Sequence, residues 1–278
     1  VHWKFDLPLV ALTKYLSRRQ FRFVHTRQMN MPGRKRDPYH RFIYQRMDSF
    51  IAITCYLEKQ ALENLPIPAE RILQIYYGVE TPDYVTPEGR EKLRTDLNVQ
   101  GEFTVGLLGR LSEYKGQHLL IEATDILRQE NIFIHAWIVG ATFEAAYRQR
   151  LQSMVDKRQL QDQVHFMDFY PKPIELMSCF DAVVLTTKNE TFGLVLIEAM
   201  HAGVAVIGSN DGGVPEIIDD GETGLLFETW NARSLADAIR RLYEDANYRA
   251  KLARAGQMKA REKFNLEHQY RKFLKALM

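Results

Sequence analysis

Short apolar runs recur along this chain, and a segment of helical spacing follows almost every one. The clearest are "FTVGLLG" (103–109), "IHAWIVG" (134–140), "QVHFMDF" (163–169), "DAVVLTT" (181–187) and "VAVIGS" (204–209). Runs apolar at nearly every position suit strands buried on both faces. Strands that alternate with helices form parallel sheets with helices on each side. The intervening segments fit. "GQHLLIEATDILRQE" (116–130) is apolar at 119, 120, 123, 126 and 127, and "FGLVLIEAMHAG" (192–203) ends at Gly203, a helix-stopping residue.

A shorter series precedes these. "FRFVHT" (21–26), "SFIAIT" (49–54) and "RILQIYYGV" (71–79) read as strands, with helices over 37–47 and in "YLEKQALENL". "ETPDYVTPEG" (80–89) has two prolines and a glycine and reads as a linker. The expected fold is therefore α/β, with two Rossmann-like domains of parallel sheet. Residues 1–82 form a partial first domain, 83–262 a second, and 263–278 a helix crossing back to the first. The chain begins at Val1, so an upstream part is expected to be missing. Apolar residues at 266, 270, 273, 274 and 277 mark the inward face expected of that last helix.

Composition narrows the function. The apolar share of 46% and charged share of 26% belong to a globular chain. No apolar run approaches the roughly 20 residues of a membrane span. The net charge of +2 conceals a basic first 50 residues, with eleven Lys or Arg against three Asp. Residues 14–46 are thus a candidate contact for an anionic membrane surface. Nucleic acid is not expected as a partner. Cys55 and Cys179 follow no metal or disulfide pattern and read as small packed residues in a reducing cytoplasm.

In sheets of this kind, ligands bind beyond the carboxyl ends of the strands. Two loops there carry charge. "RLSEYKG" follows one strand, putting Arg110 and Lys115 beside a helix start, where phosphate is well held. "KNETFGLVLIEA" follows another, with Glu190 before a helix expected to start near Phe192 and Glu198 inside it. Burying a carboxylate without a partner is costly, so Glu198 faces either a cation or a ligand. A carboxylate accepting from two vicinal hydroxyls would hold a ribose. A glycosidase acid–base pair fits poorly: eight helical residues rise about 12 Å, beyond the roughly 5–9.5 Å such carboxyls need. Gly212-Gly213, in the next strand-end loop, permits either close approach of a ligand or a tight turn. No Asp-x-Asp suggests a metal.

As an ordered set, "YYGVETPDY", "VGLLGRLSEYKGQHLLIEA" and "FGLVLIEAMHAGVAVIGSNDGGVPEIIDDGETGLLF", with Glu190 and Glu198 eight apart, resemble the retaining nucleotide-sugar glycosyltransferases of family 4, of GT-B fold. The resemblance implies roles. Arg110 and Lys115 would hold the donor pyrophosphate, beside Gly109. Glu190 would contact the transferred sugar, with the amides of Phe192 and Gly193. The amides of Leu194 and Val195 would meet phosphate, and Glu198 the ribose. The base would lie near Phe166 and Asp168. No metal or other cofactor would be needed. The donor would be a UDP-, GDP- or ADP-sugar and the acceptor a glycan or lipid-linked sugar, as in cell-surface polysaccharide or lipopolysaccharide synthesis. The enzyme would sit in the cytoplasm, at the inner membrane face.

Four positions depart from the family pattern. Asp168 stands where Gly is common, "ATF" follows Gly140, and "TTKNE" replaces the more usual Pro-Ser before the first glutamate. Gln28 replaces an acceptor-side histidine, with His25 three residues before it. Other readings of the same fold are an epimerase, a phosphorylase, or a donor-binding module without turnover.

Overall fold

The computed structural model describes residues 1–278 except Trp3, Pro32, Asp83, Tyr84 and Met278. The chain divides into two compact units, one of residues 1–80 with 264–278, the other of residues 81–263. Asp83 and Tyr84, inside the stretch read as a linker and at the 82/83 boundary, lie outside the described residues.

The first unit opens with α1 (Leu7–Leu16), then β1 (Val24–Arg27), α2 (Pro38–Tyr44), β2 (Ser49–Ala52), α3 (Cys55–Asn64) and β3 (Ile72–Gln74). The strands pair in parallel, in the order β1-β2-β3. Caps set the helix starts. Asp37 accepts from the His40 amide ahead of Pro38, and Thr54 accepts from the Leu57 amide.

The second unit runs α4 (Pro87–Asp96), β4 (Thr104–Leu108), α5 (Gln117–Gln129), β5 (His135–Val139), α6 (Ala145–Lys157), β6 (Val164–Met167) and α7 (Pro173–Met177). It continues with β7 (Ala182–Leu185), α8 (Leu194–His201), β8 (Ala205–Ser209), α9 (Val214–Ile217), β9 (Leu225–Phe227), α10 (Ala232–Glu244) and α11 (Ala246–Lys263). Its six strands are parallel, in the order β6-β5-β4-β7-β8-β9. The order reverses between β4 and β7. That reversal leaves a crevice beyond the carboxyl ends of those two strands. At the opposite end, Asp181 clamps the pair: its carboxylate accepts from the Thr104 amide at 2.8 Å and from Arg90 at 3.1 Å. Val105, Leu107, Ile138, Val184 and Ile207 fill the sheet's interior. The α/β class with parallel sheets follows from the alternation of runs in the sequence.

α12 (Leu266–Leu277) completes the first unit. Its inward face is not the expected one. Phe273 and Ala276 pack on Val24, Ile51 and Ile75, and Gln269 is buried, while Leu266, Tyr270, Leu274 and Leu277 are exposed. Helical spacing marks which residues share a face; the neighbouring sheet decides which face goes in.

Other expectations also needed correction. The strand read over 71–79 is ordered as strand only at Ile72–Gln74, after a 3-10 turn at Ala69–Arg71. The strand read over 21–26 is Val24–Arg27. The supposed linker ends in a helix start, because Thr86 caps the Gly89 amide with Pro87 in the first turn. α1 was not anticipated. Cys179 is buried as expected, but Cys55 is exposed, because it opens α3 on its outer side.

Candidate active site in the second unit

The loops after β4 and β7 meet at the strand-order reversal and are sewn together. The Thr186 hydroxyl donates to the Lys115 carbonyl at 2.6 Å, and the Lys188 amide donates to the Tyr114 carbonyl at 3.2 Å. This stitching brings Lys115 Nζ to 3.1 Å from Glu190 Oε2. The pair is mostly buried, and the other Glu190 oxygen accepts from the Thr191 amide at 3.1 Å. Arg110 points along the same loop, its guanidinium 3.2 Å from the Tyr114 hydroxyl and 5.7 Å from the Phe143 ring centre. Lys115 Nζ lies 5.7 Å from the Tyr114 ring, so Tyr114 stands between the two cations. Glu113 is not their counterion; it pairs with Arg150 at 2.8 Å.

α8 begins two residues later than its sequence suggests. Gly193 takes a left-handed conformation, φ +98°, and becomes the N-cap, which excludes Phe192 from the helix. No side chain caps this end, and the Leu196 amide turns back to the Gly193 carbonyl at 3.0 Å. The amides of Leu194 and Val195 are therefore left for a ligand or water. The Phe192 side chain is buried.

One turn further on, Glu198 faces a cleft of about 380 Å³. Gly109, Arg110, Phe143, Phe169 and Val195 are among its other walls. Among the described residues the Glu198 carboxylate has neither an ion-pair nor a hydrogen-bond partner, and burial alone pushes its carboxyl above the ordinary range. A helix that leaves a half-buried carboxylate unpaired, beside an arginine, has room for a polar ligand.

Phe166 and Asp168 line a different, smaller cavity of about 160 Å³, with Gly140, Thr142 and Arg148. The Arg148 guanidinium covers the Phe166 ring at 3.6 Å. The aromatic rings open to the Glu198 cleft are instead Phe143 and Phe169, each 71% exposed. Sequence reasoning missed Phe143, and within the stretch 165–169 it singled out Phe166 and Asp168 rather than Phe169, though both rings follow a strand end by two to four residues, where ligand contacts concentrate.

The diglycine approaches protein, not ligand. Gly212 has φ +61°, and a Cβ there would lie 2.0 Å from the Glu190 carbonyl oxygen. The Gly213 amide donates to that same carbonyl at 2.8 Å, and Asp211 accepts from the Asn189 amide at 2.7 Å. The loop after β8 thus fixes the backbone that carries Glu190.

Two candidates lie in the first unit. His25 is 1% exposed; its Nδ1 donates to the Val1 carbonyl at 2.8 Å and its ring meets Phe50 edge-on. Burial pushes its pKa down to about 4, so the ring is neutral and covered. Gln28 is exposed and hydrogen-bonds the Tyr77 side chain. No group of three or more His, Cys, Asp or Glu able to hold a metal occurs among the described residues. No helix among them is long and apolar enough to cross a membrane.

Residues 89–259 match the family model for "Glycosyl transferases group 1". A D-inositol 3-phosphate glycosyltransferase of Pseudarthrobacter chlorophenolicus is 28% identical over 260 residues, 91% of this chain and 61% of its own length. Spore coat protein SA of Bacillus subtilis is 28% identical over 229 residues, 77% of this chain and 60% of its own length. The chain thus spans about 60% of the length of these relatives. Among solved structures, Anabaena Alr3699/HepE in complex with UDP superposes with a TM-score of 0.90 at 25% identity, over 99% of this chain and 76% of that one. The same protein with UDP-glucose gives 0.86 at 26%, over the same shares.

Proposed function

This chain belongs to the group 1 glycosyl transferases, and we propose that it transfers a sugar from a nucleotide-sugar to a glycan or lipid-linked acceptor with retention of configuration. One observation carries the reading: Glu198, an unpartnered carboxylate, shares a cleft with Arg110 at the strand-order reversal. The UDP and UDP-glucose bound by the Anabaena protein support a donor of that class.

In this reading Glu198 accepts from the ribose hydroxyls, and the base packs between Phe143 and Phe169. The pyrophosphate lies against Arg110, Lys115 and the free amides of Leu194 and Val195. Negative charge grows on the departing phosphate as the glycosidic bond breaks. Preorganised cations and amides lower that barrier. Arg110 and Lys115 supply the positive charge, and no metal requirement is expected. Glu190 sits beside the transferred sugar, and the acceptor oxygen attacks from the leaving-group side. Part of the acceptor is assigned to the first unit. There, Arg18, Arg19 and Arg22 surround an open basic pocket next to the exposed Tyr15 and Leu16. These residues suit an anionic membrane face, where the acceptor of a cell-surface polysaccharide would be met.

Calorimetric titration with UDP, GDP and ADP tests the donor site. One nucleotide should bind, and Glu198→Ala and Arg110→Ala should each weaken it by about 1–3 kcal/mol. Absence of binding by all three would end the donor reading. Product stereochemistry, read by NMR, separates retention from inversion. Formation of a sugar phosphate when inorganic phosphate replaces the acceptor would favour a phosphorylase, and inversion at a sugar carbon without transfer would favour an epimerase.

A further inference from the structure

The loop after β9 holds Trp230 in the left-handed region, with φ +63°. For so bulky a residue this backbone is strained. Core burial does not compensate, because the residue remains 40% exposed. Its indole N–H has no hydrogen-bond partner among the described residues. Two groups touch the ring. His118 meets it edge-on with centroids 5.4 Å apart, and the Tyr147 hydroxyl is 3.2 Å from His118 Nδ1. Lys188 Nζ lies 5.3 Å over the indole. Lys188 is exposed and has no carboxylate partner among the described residues. An exposed cation over an indole returns no more than the strain costs.

The position explains what the strain can serve. The Lys188 amide is bonded to the Tyr114 carbonyl, Lys188 precedes Glu190 by two residues, and His118 follows Lys115 by three. Both side chains that touch the indole thus belong to the segments that carry Lys115 and Glu190. Both free polar groups here, the indole N–H and the ammonium, are donors only, so a partner must bring acceptors. The nearby Glu228 carboxylate accepts from the Asn231 side-chain Nδ2 at 2.6 Å and pairs with neither group.

We propose that Trp230 and Lys188 form an acceptor subsite for a saccharide ring carrying an anionic group. The apolar C–H face of the ring packs on the indole, and the carboxylate or phosphate meets the ammonium. The assignment of this subsite to the acceptor rests on Glu190 lying beside the transferred sugar.

Saturation-transfer NMR on the chain tests it, with methyl β-D-glucuronide and glucose 6-phosphate as probes and methyl β-D-glucoside as the neutral control. The acidic sugars should bind with millimolar Kd, Lys188→Ala should weaken them roughly tenfold, and Trp230→Gly should abolish binding. Preference for one acidic sugar tells carboxylate from phosphate. Glycine accepts φ +63° freely, so Trp230→Gly should keep or raise the Tm and leave UDP binding intact. Misfolding then cannot explain the loss. The proposal is overturned if neither acidic sugar binds at millimolar concentration, or if both bind the Trp230→Gly variant as they bind the unaltered chain. Failure of UDP to bind counts against the donor reading alone, since the sugars are titrated without nucleotide.

Discussion

Lys115 and Glu190 are 75 residues apart in sequence and 3.1 Å apart in space, joined across the loops that follow two adjacent strands. The ammonium that would neutralise a leaving phosphate is thus held by the carboxylate that would sit beside the sugar. Lys115→Met should lower transfer by roughly 10²–10³-fold, the cost of losing one charge-stabilising group. Glu190→Gln should lower turnover while leaving the nucleotide Kd within a few-fold. Steady-state kinetics alongside calorimetry will check both; equal losses in kcat and nucleotide affinity for Glu190→Gln would contradict its place at the sugar.

Glu198 ties stability to pH in the opposite sense from an ion-paired carboxylate. Burial raises its folded-state pKa above the ordinary value. The folded state therefore holds the proton more tightly than the unfolded one, and stability falls as pH rises between the two pKa values. Glu198→Gln should raise the Tm at pH 7 but not at pH 4, while weakening UDP. Thermal melts at the two pH values decide it; a lower Tm at pH 7 would show that the carboxylate has a stabilising partner.

Phe143 and Phe169 are largely exposed, so truncating either should change stability by no more than about 0.5 kcal/mol. Base stacking on an aromatic ring is worth about 1–3 kcal/mol. Phe143→Ala and Phe169→Ala should thus weaken UDP by that amount and leave inorganic pyrophosphate unaffected. Equal weakening of both ligands would place the rings elsewhere than at the base.

Gly212 should not tolerate a side chain. Its φ is +61°, and a Cβ would lie 2.0 Å from the Glu190 carbonyl oxygen. Gly212→Ala should cost about 1–3 kcal/mol of stability and depress transfer more than it depresses UDP binding, because it displaces Glu190 and not the ribose contact. Chemical denaturation and kinetics measure the two effects; wild-type turnover in this variant would show the loop to be unimportant.

His25 should make the first unit acid-sensitive. Its folded pKa is about 4 against an ordinary 6.5. The unfolded chain takes up the proton first, so stability falls as pH drops from 6.5 towards 4, by at most about 3 kcal/mol. His25→Gln should flatten that slope in denaturant titrations. An unchanged slope would mean another group titrates there.

Much of the fold was legible in the chain itself. Near-continuous apolar runs such as "VGLLG" and "DAVVL" have one stable use, a doubly covered parallel sheet, and helical spacing identified α5 and α8. The charged candidates were legible because ligand loops follow strands: Arg110, Lys115 and Glu190 lie between a strand end and the next α-helix, and Glu198 lies in the helix that one such loop leads into. α4 was lost inside a supposed linker because Thr-Pro-Glu-Gly serves a turn and a helix start equally well.

Sequence period fixes which residues lie together on one element, but carries no information on which neighbour that element meets. Only the tertiary structure could set β4 beside β7, and so join Lys115 to Glu190, because strand order is decided by the packing of distant helices. The same holds for the outward turn of Leu266, Tyr270 and Leu274 on α12, for the diglycine closing on Glu190, and for Phe143 and Phe169 walling a cleft in place of Phe166. Each depends on contacts between residues far apart in the chain, which local propensity cannot specify.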